Sequence, residues 1–421
     1  MSDDDALRAA IVANPDADLP RLVYADFIHE AGDEAGAEFI RAQVELANTP
    51  EYDPFAVYCH AHRPEWVTGE DRRATLPDVT GLEWMPDRLF RRGFGWQVAA
   101  PFLPSLLTQL PKLRAREPVQ SLALGTHPLD QLEQMALAPW LPDIREVSFT
   151  GLSTPIEPVR VLCATPAATG LRALHFTRGD SPAMPLLLER IFAAPLGRGL
   201  TTLSIRFSTE QSRELIEGLA GGAEALTDLT LRSISWPWNA VQVLVGSGVL
   251  GRLKVLRLTD SYLSAGCVED LAGSPHAAGL EVLDFQNTSA RLSTVEILAS
   301  SQYLTGLRKL NLNDNALGTN TGRLLASAHA LGGLRSLLLR QADLGDLDVQ
   351  HLVTGAYWKN LAELDLTRNP IHDDGGKALA DADTPPEMTA LRLSVNRFSE
   401  PVRVALVAKY GPAVRFVPDG G

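Results

Sequence analysis

The chain has 421 residues, a formal net charge of −13, and 45% apolar and 21% charged residues, a globular balance that excludes disorder over most of its length. No run approaches the roughly 18 uncharged apolar residues of a membrane span, and three distant cysteines, Cys59, Cys163 and Cys267, exclude a disulfide framework and suit a reducing compartment. Residues 1–92 hold 19 Asp and Glu against 9 Arg, a net of −10, which leaves −3 for the other 329. That imbalance disfavours sequence-independent binding to nucleic acid.

The opening MSDDDALRAAIVANP is acidic and lacks the apolar core of a secretory leader, so a cytoplasmic location is expected. RLVYADFIHEAGDEAGAEFIRAQVEL predicts two helices joined at Gly32–Asp33, with Leu22, Val23 and Phe27 facing Phe39, Ile40 and Val44. AVYCHAHRPEW predicts a further helix. On LVYAD, GD, EFIRAQ and HRPEW, about 65 residues resemble the small N-terminal repeat-companion domain of planctomycete and myxobacterial proteins, which often precedes leucine-rich repeats. That resemblance supplies a neighbour and no activity.

RRGFGWQV at 91–98 carries Phe94, Trp96 and Val98 in alternation and predicts a first, atypical strand. An apolar-x-x-apolar-x-apolar pattern then returns eleven times: VQSLAL at 119, IREVSF at 144, LRALHF at 171, LTTLSI at 200, LTDLTL at 226, LKVLRL at 253, LEVLDF at 280, LRKLNL at 307, LRSLLL at 334, LAELDL at 361 and MTALRL at 388. The early steps are 25, 27, 29 and 26 residues; from 226 onward every step is 27. Residues two apart, such as Leu310 and Leu312, share one buried side of a short strand. Asn315 ends the strand with an amide able to bond turn backbone, and a helical stretch such as GRLLASAHAL follows. Such a unit cannot bury its own apolar edge, so neighbours must stack. Strands about 4.8 Å apart beside helices 8–10 Å apart predict a curve with strands inside. LRKLNLNDNALG and LAELDLTRNPIHDDGGKALA resemble leucine-rich repeats of the ribonuclease-inhibitor type, over about residues 90–420. Asn holds the turn only at 315, 369 and 396; Ile234, Ser261, Thr288 and Ala342 replace it elsewhere.

SEPVRVALVAKYGPAVRF predicts a closing cap: a helix with Val402, Leu406, Val407 and Tyr410 on one stripe, then a strand with Val414 and Phe416. The expected organisation is α/β: residues 1–75 a small helical companion domain, 76–118 a linker and N-terminal capping unit, 119–398 eleven repeats, and 399–421 the C-terminal cap.

Chemistry is sparse. Cys59, His60 and His62 lack a second ligand cluster, and adjacent helical residues diverge by about 100°, so neither a metal nor a cofactor is expected. Asp26, in an apolar helical stretch, reads as a carboxylate paired with Arg21 or Arg41 rather than a general base. No phosphate loop, nucleophile elbow or HExxH occurs, and no enzyme is expected. The inner-face columns hold Arg257, Asp284 and Asn311, and beside them Arg206 and Arg232. The three arginines, on consecutive repeats, are a candidate dock for a carboxylate-rich protein; the competing reading pairs them with Asp228 or Asp284. In SWPWNA, Trp236 falls at a position where other repeats place leucine and reads as core. Trp238 and Tyr262 lie nearer the rim as candidate contacts. The expected function is a non-catalytic protein-binding scaffold using the inner face. An enzyme regulator of inhibitor or GTPase-activating type, and an enzyme seated in residues 1–90, are the alternatives. No nucleic acid or membrane partner is expected.

Overall fold

The computed structural model describes residues 2–150, 155–177, 183–206, 212–232, 235–236 and 238–418. They form two compact units: Met1–Glu51, Cys59–Ala183 and Arg190–Thr201 in one, and Tyr52–Tyr58, Met184–Glu189 and Thr202–Gly421 in the other. Among the described residues no helix is long and apolar enough to cross a membrane.

The first unit opens on α1 (Asp3–Ala13), a helix that the sequence analysis did not predict. Those acids make the helix start. Asp5 N–H donates to Ser2 Oγ and the Ser2 N–H donates back to Asp5, a reciprocal cap, and Asp3 and Asp4 favour the positive helix end. Helices α2 (Leu19–Glu30) and α3 (Glu34–Asn48) follow. They break where expected: Gly32 takes φ 95°, and the Asp33 carboxylate accepts from Gly36 N–H at 2.8 Å. Ile11, Tyr24, Ala25, Ala37, Ile40, Val44 and Phe94 form their core. Val23 is 43% exposed, which corrects the expected stripe. The buried face of α2 runs Arg21, Tyr24, Ala25, a spacing of three and four that turns Val23 to water. Asp26 pairs with Arg41 at 2.7 Å.

Residues 91–98 are not one strand. Phe90–Arg91 and Phe94–Gly95 pair antiparallel around Arg92–Gly93, whose φ values of 53° and 82° are those of a two-residue hairpin turn. The chain then enters a sheet: β1 (Glu83–Trp84), antiparallel to β2 (Gln97–Ala99), then β3 (Ser121–Leu124), β4 (Glu146–Phe149) and β5 (Ala173–Phe176), all parallel. Leu122, Leu124, Val147, Phe149, Leu174 and Phe176 are buried on one side of the sheet, and Phe149 stacks on Phe176 at 5.0 Å.

The second unit is the regular array. Strands β6 (Thr202–Arg206), β7 (Asp228–Arg232), β8 (Val255–Thr259), β9 (Val282–Asp284), β10 (Lys309–Asn311), β11 (Ser336–Leu338), β12 (Glu363–Asp365), β13 (Ala390–Ser394) and β14 (Val414–Val417) lie parallel in sequence order. The 27-residue period is the ladder register: Leu229, Leu256, Leu283, Leu310, Leu337, Leu364 and Leu391 align laterally, all fully buried. A helix follows each of β8 to β12, from Ala265–Ala272 to Asp373–Asp381. This is a leucine-rich-repeat solenoid. At its end Val402, Leu406 and Tyr410 are buried, but Val407 is 50% exposed; the Glu400–Tyr410 helix buries positions four apart, and 407 falls outside that row.

Strands β8 to β12 end in the same device. Asp260, Asn287, Asp314, Gln341 and Arg368 take φ between 50° and 59°, turning the chain out of the sheet. The next residue spans to the preceding repeat where it is Asn. Asn369 Oδ1 accepts from Ala342 N–H at 2.9 Å and Leu344 N–H at 3.1 Å, while Nδ2 donates to Leu339 O at 2.7 Å and Leu366 O at 3.0 Å. Asn315 does the same toward Thr288, Ala290, Phe285 and Leu312. Thr288, which replaces Asn, donates its hydroxyl to Phe285 O and to the Asn315 amide oxygen; the Asn396 side chain lies outside the described residues. Removing such an amide strands buried backbone donors. Asn369→Ala is therefore expected to cost about 2–4 kcal/mol, read as a lower denaturant midpoint with faster amide exchange at Ala342 and Leu344. An unchanged midpoint would contradict this account of the turn.

Candidate protein-binding surface

All seven candidate contact residues fall in the second unit. Arg206 and Arg232 close β6 and β7, are partners in register, and are both exposed. Their backbones are thus one strand spacing apart, about 4.8 Å. Arg232 Nε donates to Thr259 Oγ1 at 3.2 Å, which holds its stem against the next strand. Arg257 belongs to a different column, in register with Thr230 and Asp284. Its Nη1 lies 3.9 Å from Asp228 Oδ1. The structure therefore brings two of the three arginines together at the strand ends and sets the third between carboxylates.

The column of Asp284 and Asn311 is less open than its outward register implied. Asn311 is 5% exposed, and its Oδ1 accepts from Asn313 N–H at 3.0 Å. Asp284 is half-buried, with a carboxylate accepting from Gln286 N–H at 2.9 Å; burial pushes its pKa up, opposed by that N–H, the Asn311 amide and Arg257. Leu338 and Asp365 in the same column are each 9% exposed. This corrects the expectation that these residues offer free side chains. Strands about 4.8 Å apart leave little room between neighbouring side chains, and each short polar group bonds back to its own strand end. Tyr262 is 61% exposed, on a short parallel pair with Ser235–Trp236 beyond the main ladder. Trp238 opens the Trp238–Gly246 helix; its side chain, like that of Trp236, lies outside the described residues.

The first unit carries a polar cluster that the sequence reading did not assemble. Glu146 on β4 is buried and accepts from Arg88 and, at 3.2 Å, from Ser121 Oγ. Gln97 Nε2 donates to Ser121 Oγ at 2.8 Å and Ser148 Oγ at 3.0 Å. His175 Nε2 lies 3.6 Å from Glu146 and has no hydrogen-bond partner among the described residues. Ser, His and Glu thus meet, but the Ser148 hydroxyl takes its bond from Gln97. Among the described residues no serine–imidazole bond activates a nucleophile, and the serine, glutamine, arginine and glutamate groups bond to one another while His175 Nε2 is left without a partner. Register alone creates it: Ser121, Glu146, Ser148 and His175 stand on adjacent strands but some 25 residues apart in sequence. In the Cys59–His62 segment, Cys59 is buried with its thiol pushed up to about 11 by burial and then by Glu45. Trp66 is half-buried under the Arg63 guanidinium at 3.6 Å.

Burial, then the Arg88 charge, lowers the His175 pKa to about 4. The unfolded chain takes up that proton near pH 6.5 while the folded chain resists it. Stability from a neutral His175 is therefore complete above pH 6.5 and is lost as pH falls toward 4. His175→Gln is expected to flatten the fall in denaturation midpoint between pH 6.5 and 4.5, by an amount on the order of 2 kcal/mol. A variant with the same pH slope as the wild type would show that the imidazole is not held neutral.

No family model and no curated protein matches the sequence. Among solved structures, the chain is similar to one from the Rad7–Elc1 complex in yeast, at 16% identity and a TM-score of 0.46 over 71% of this chain and 80% of that one. It is also similar to an internalin from Listeria monocytogenes, at 16% identity and 0.37 over 64% and 73%. A protein from Bacteroides fragilis matches at 13% identity and 0.34, over 56% and 64%. The repeat geometry itself, rather than these likenesses, defines the fold.

Proposed function

We propose that the chain is a non-catalytic protein-binding scaffold whose second unit docks a carboxylate-rich protein surface on Arg206 and Arg232, with Tyr262 as an apolar contact beside them. The observation that carries this reading is the pair of exposed guanidiniums on laterally bonded strands. Two forks held about one strand spacing apart match adjacent carboxylates, and an exposed tyrosine gives area at low entropic cost. Arg257, engaged between Asp228 and Asp284, contributes to the field rather than to direct contact. In this reading the repeats are of the ribonuclease-inhibitor type, since strand, turn and helix alternate in each regular unit. The N-terminal helices are a repeat-companion segment, and the protein works in the cytoplasm.

A photo-crosslinking residue at position 262 in the full chain tests this. With wild-type arginines, an acidic protein is expected to be crosslinked, with yield falling as salt rises from 50 to 500 mM. Arg206→Glu with Arg232→Glu is expected to cut that yield about tenfold or more, at an unchanged melting temperature because both side chains are exposed. Equal yield from the charge-reversed variant would overturn the proposed surface.

A further inference from the structure

A second concentration of positive charge lies wholly within the first unit. Arg21, Arg91, Arg92, Arg145 and Arg172 line one recess of about 410 Å³ together with Asp16. They come from four places in the chain. Arg21 is on α2. Arg91 and Arg92 are on the hairpin, Arg92 at φ 53°, a conformation unfavourable for an arginine. Arg145 and Arg172 stand immediately before β4 and β5. There the backbone is locked laterally: Arg145 N–H donates to Gln120 O at 2.8 Å, and Arg172 N–H to Arg145 O at 2.7 Å.

Three of the five, Arg21, Arg91 and Arg92, come from the first 92 residues, which carry a net of −10. The nearby carboxylates do not balance them. Asp18 pairs with Arg92 at 3.3 Å. Asp16, itself exposed, reaches Arg145 Nη2 and Gln120 Nε2, both at 3.3 Å, long for charge-assisted bonds. Two carboxylates face five cations. Arg21 is 2% exposed; it spends Nη1 and Nη2 on the Ala17 and Pro15 carbonyls, and its Nε has no partner among the described residues. Arg91 lies over the Trp96 ring at 4.6 Å, and the Arg172 guanidinium meets backbone carbonyls of Thr169 and Leu171. Burial above all, then the charge of Arg92, lowers Arg21 to about 10, opposed by Asp18 and Asp16.

We propose that this recess binds a small anion bearing adjacent phosphoryl groups, and that Asp16 is a weak internal stand-in for one of its oxyanions. Tetrahedral phosphoryl oxygens point in several directions and can bridge guanidiniums set around a bowl, whereas one planar carboxylate satisfies one fork or two. The rim arginines, Arg91 and Arg172, are exposed and meet the ligand; the buried Arg21 supplies field from beneath. This site is independent of the protein-docking surface and stands or falls without it.

Isothermal titration of the full chain with inorganic pyrophosphate, ADP and citrate at 150 mM salt tests the proposal. Pyrophosphate is expected to bind at one site with a Kd in the micromolar range. ADP binding of similar strength assigns the site to diphosphate groups in general, and ADP at least about tenfold weaker assigns it to the free inorganic anion. Arg145→Gln with Arg172→Gln is expected to weaken pyrophosphate at least about tenfold. Asp16→Asn, which removes the competing carboxylate, is expected to tighten it severalfold. Absence of saturable heat, citrate binding as tightly as pyrophosphate, or a double variant that folds and binds unchanged would each overturn the inference. Should the double variant not fold, Asp16→Asn decides alone: unchanged or weaker binding sinks the stand-in role and the site with it.

Discussion

A strand of three residues between two turns cannot remove its own leucines from water, and every feature of the second unit follows from that constraint. The row from Leu229 to Leu391 is fully buried because each side chain is covered by the equivalents one repeat before and after. Burial of each is worth roughly 1.5–3 kcal/mol, but only when neighbours are in place. The array is therefore cooperative between adjacent units and has no stable single repeat. The asparagine bridges add direction to this lateral packing. By accepting from two N–H groups of the preceding turn, Asn315 and Asn369 couple the exit of one strand to the next, so a slip in register would break polar as well as apolar contacts.

The same constraint decides which residues remain available for recognition. Side chains on the outward column, packed at strand spacing, cover one another, and short polar groups such as Asn311 and Asp284 bond to the next amides along their own strands. The arginines at the ends of β6 and β7, and Tyr262 on its short flanking pair, lie outside that crowded middle and are exposed. Periodicity in the sequence predicts facing direction but not exposure, and this is where inner-face reasoning needed the structure.

What was legible followed from repetition. A strict 27-residue interval marks parallel strands in register, and buried leucines identify themselves by spacing. The turn at Gly32–Asp33, the closing helix with Val402 and Leu406, and the pairing of Asp26 with a nearby arginine were also visible, because each depends on residues close in sequence. Errors arose where one residue's direction depended on a neighbour that spacing does not name. Val23 and Val407 are apolar yet turned to water by the row of contacts their helices make. The strand expected at 91–98 is broken by two residues in left-handed conformation, Arg92 and Gly93. Gly93 is required there, since a Cβ would stand 2.6 Å from an Ile40 side-chain carbon. Arg92 carries no such signature in the sequence.

The two polar assemblies of the first unit were invisible for a related reason. Glu146 and His175 meet through register, and the arginines at 21, 91, 92, 145 and 172 meet through a helix, a hairpin and two strand starts. Neither spacing is periodic, and the irregular early steps of 25 to 29 residues hide the lateral alignment that would have revealed them. These assemblies also differ in energetic character. In the Glu146 layer Arg88 and Ser121 donate to the carboxylate while Gln97 donates to the Ser121 and Ser148 hydroxyls, so these groups hold the sheet together without needing a ligand. The arginine recess leaves like charges facing one another with only two carboxylates nearby. A fold can tolerate such a charge imbalance where water and salt reach it, but the buried Arg21 is denied both. Within the fold Arg21 is compensated by the Ala17 and Pro15 carbonyls and by the charges of Asp18 and Asp16, and in the proposal an anion entering the recess completes that compensation.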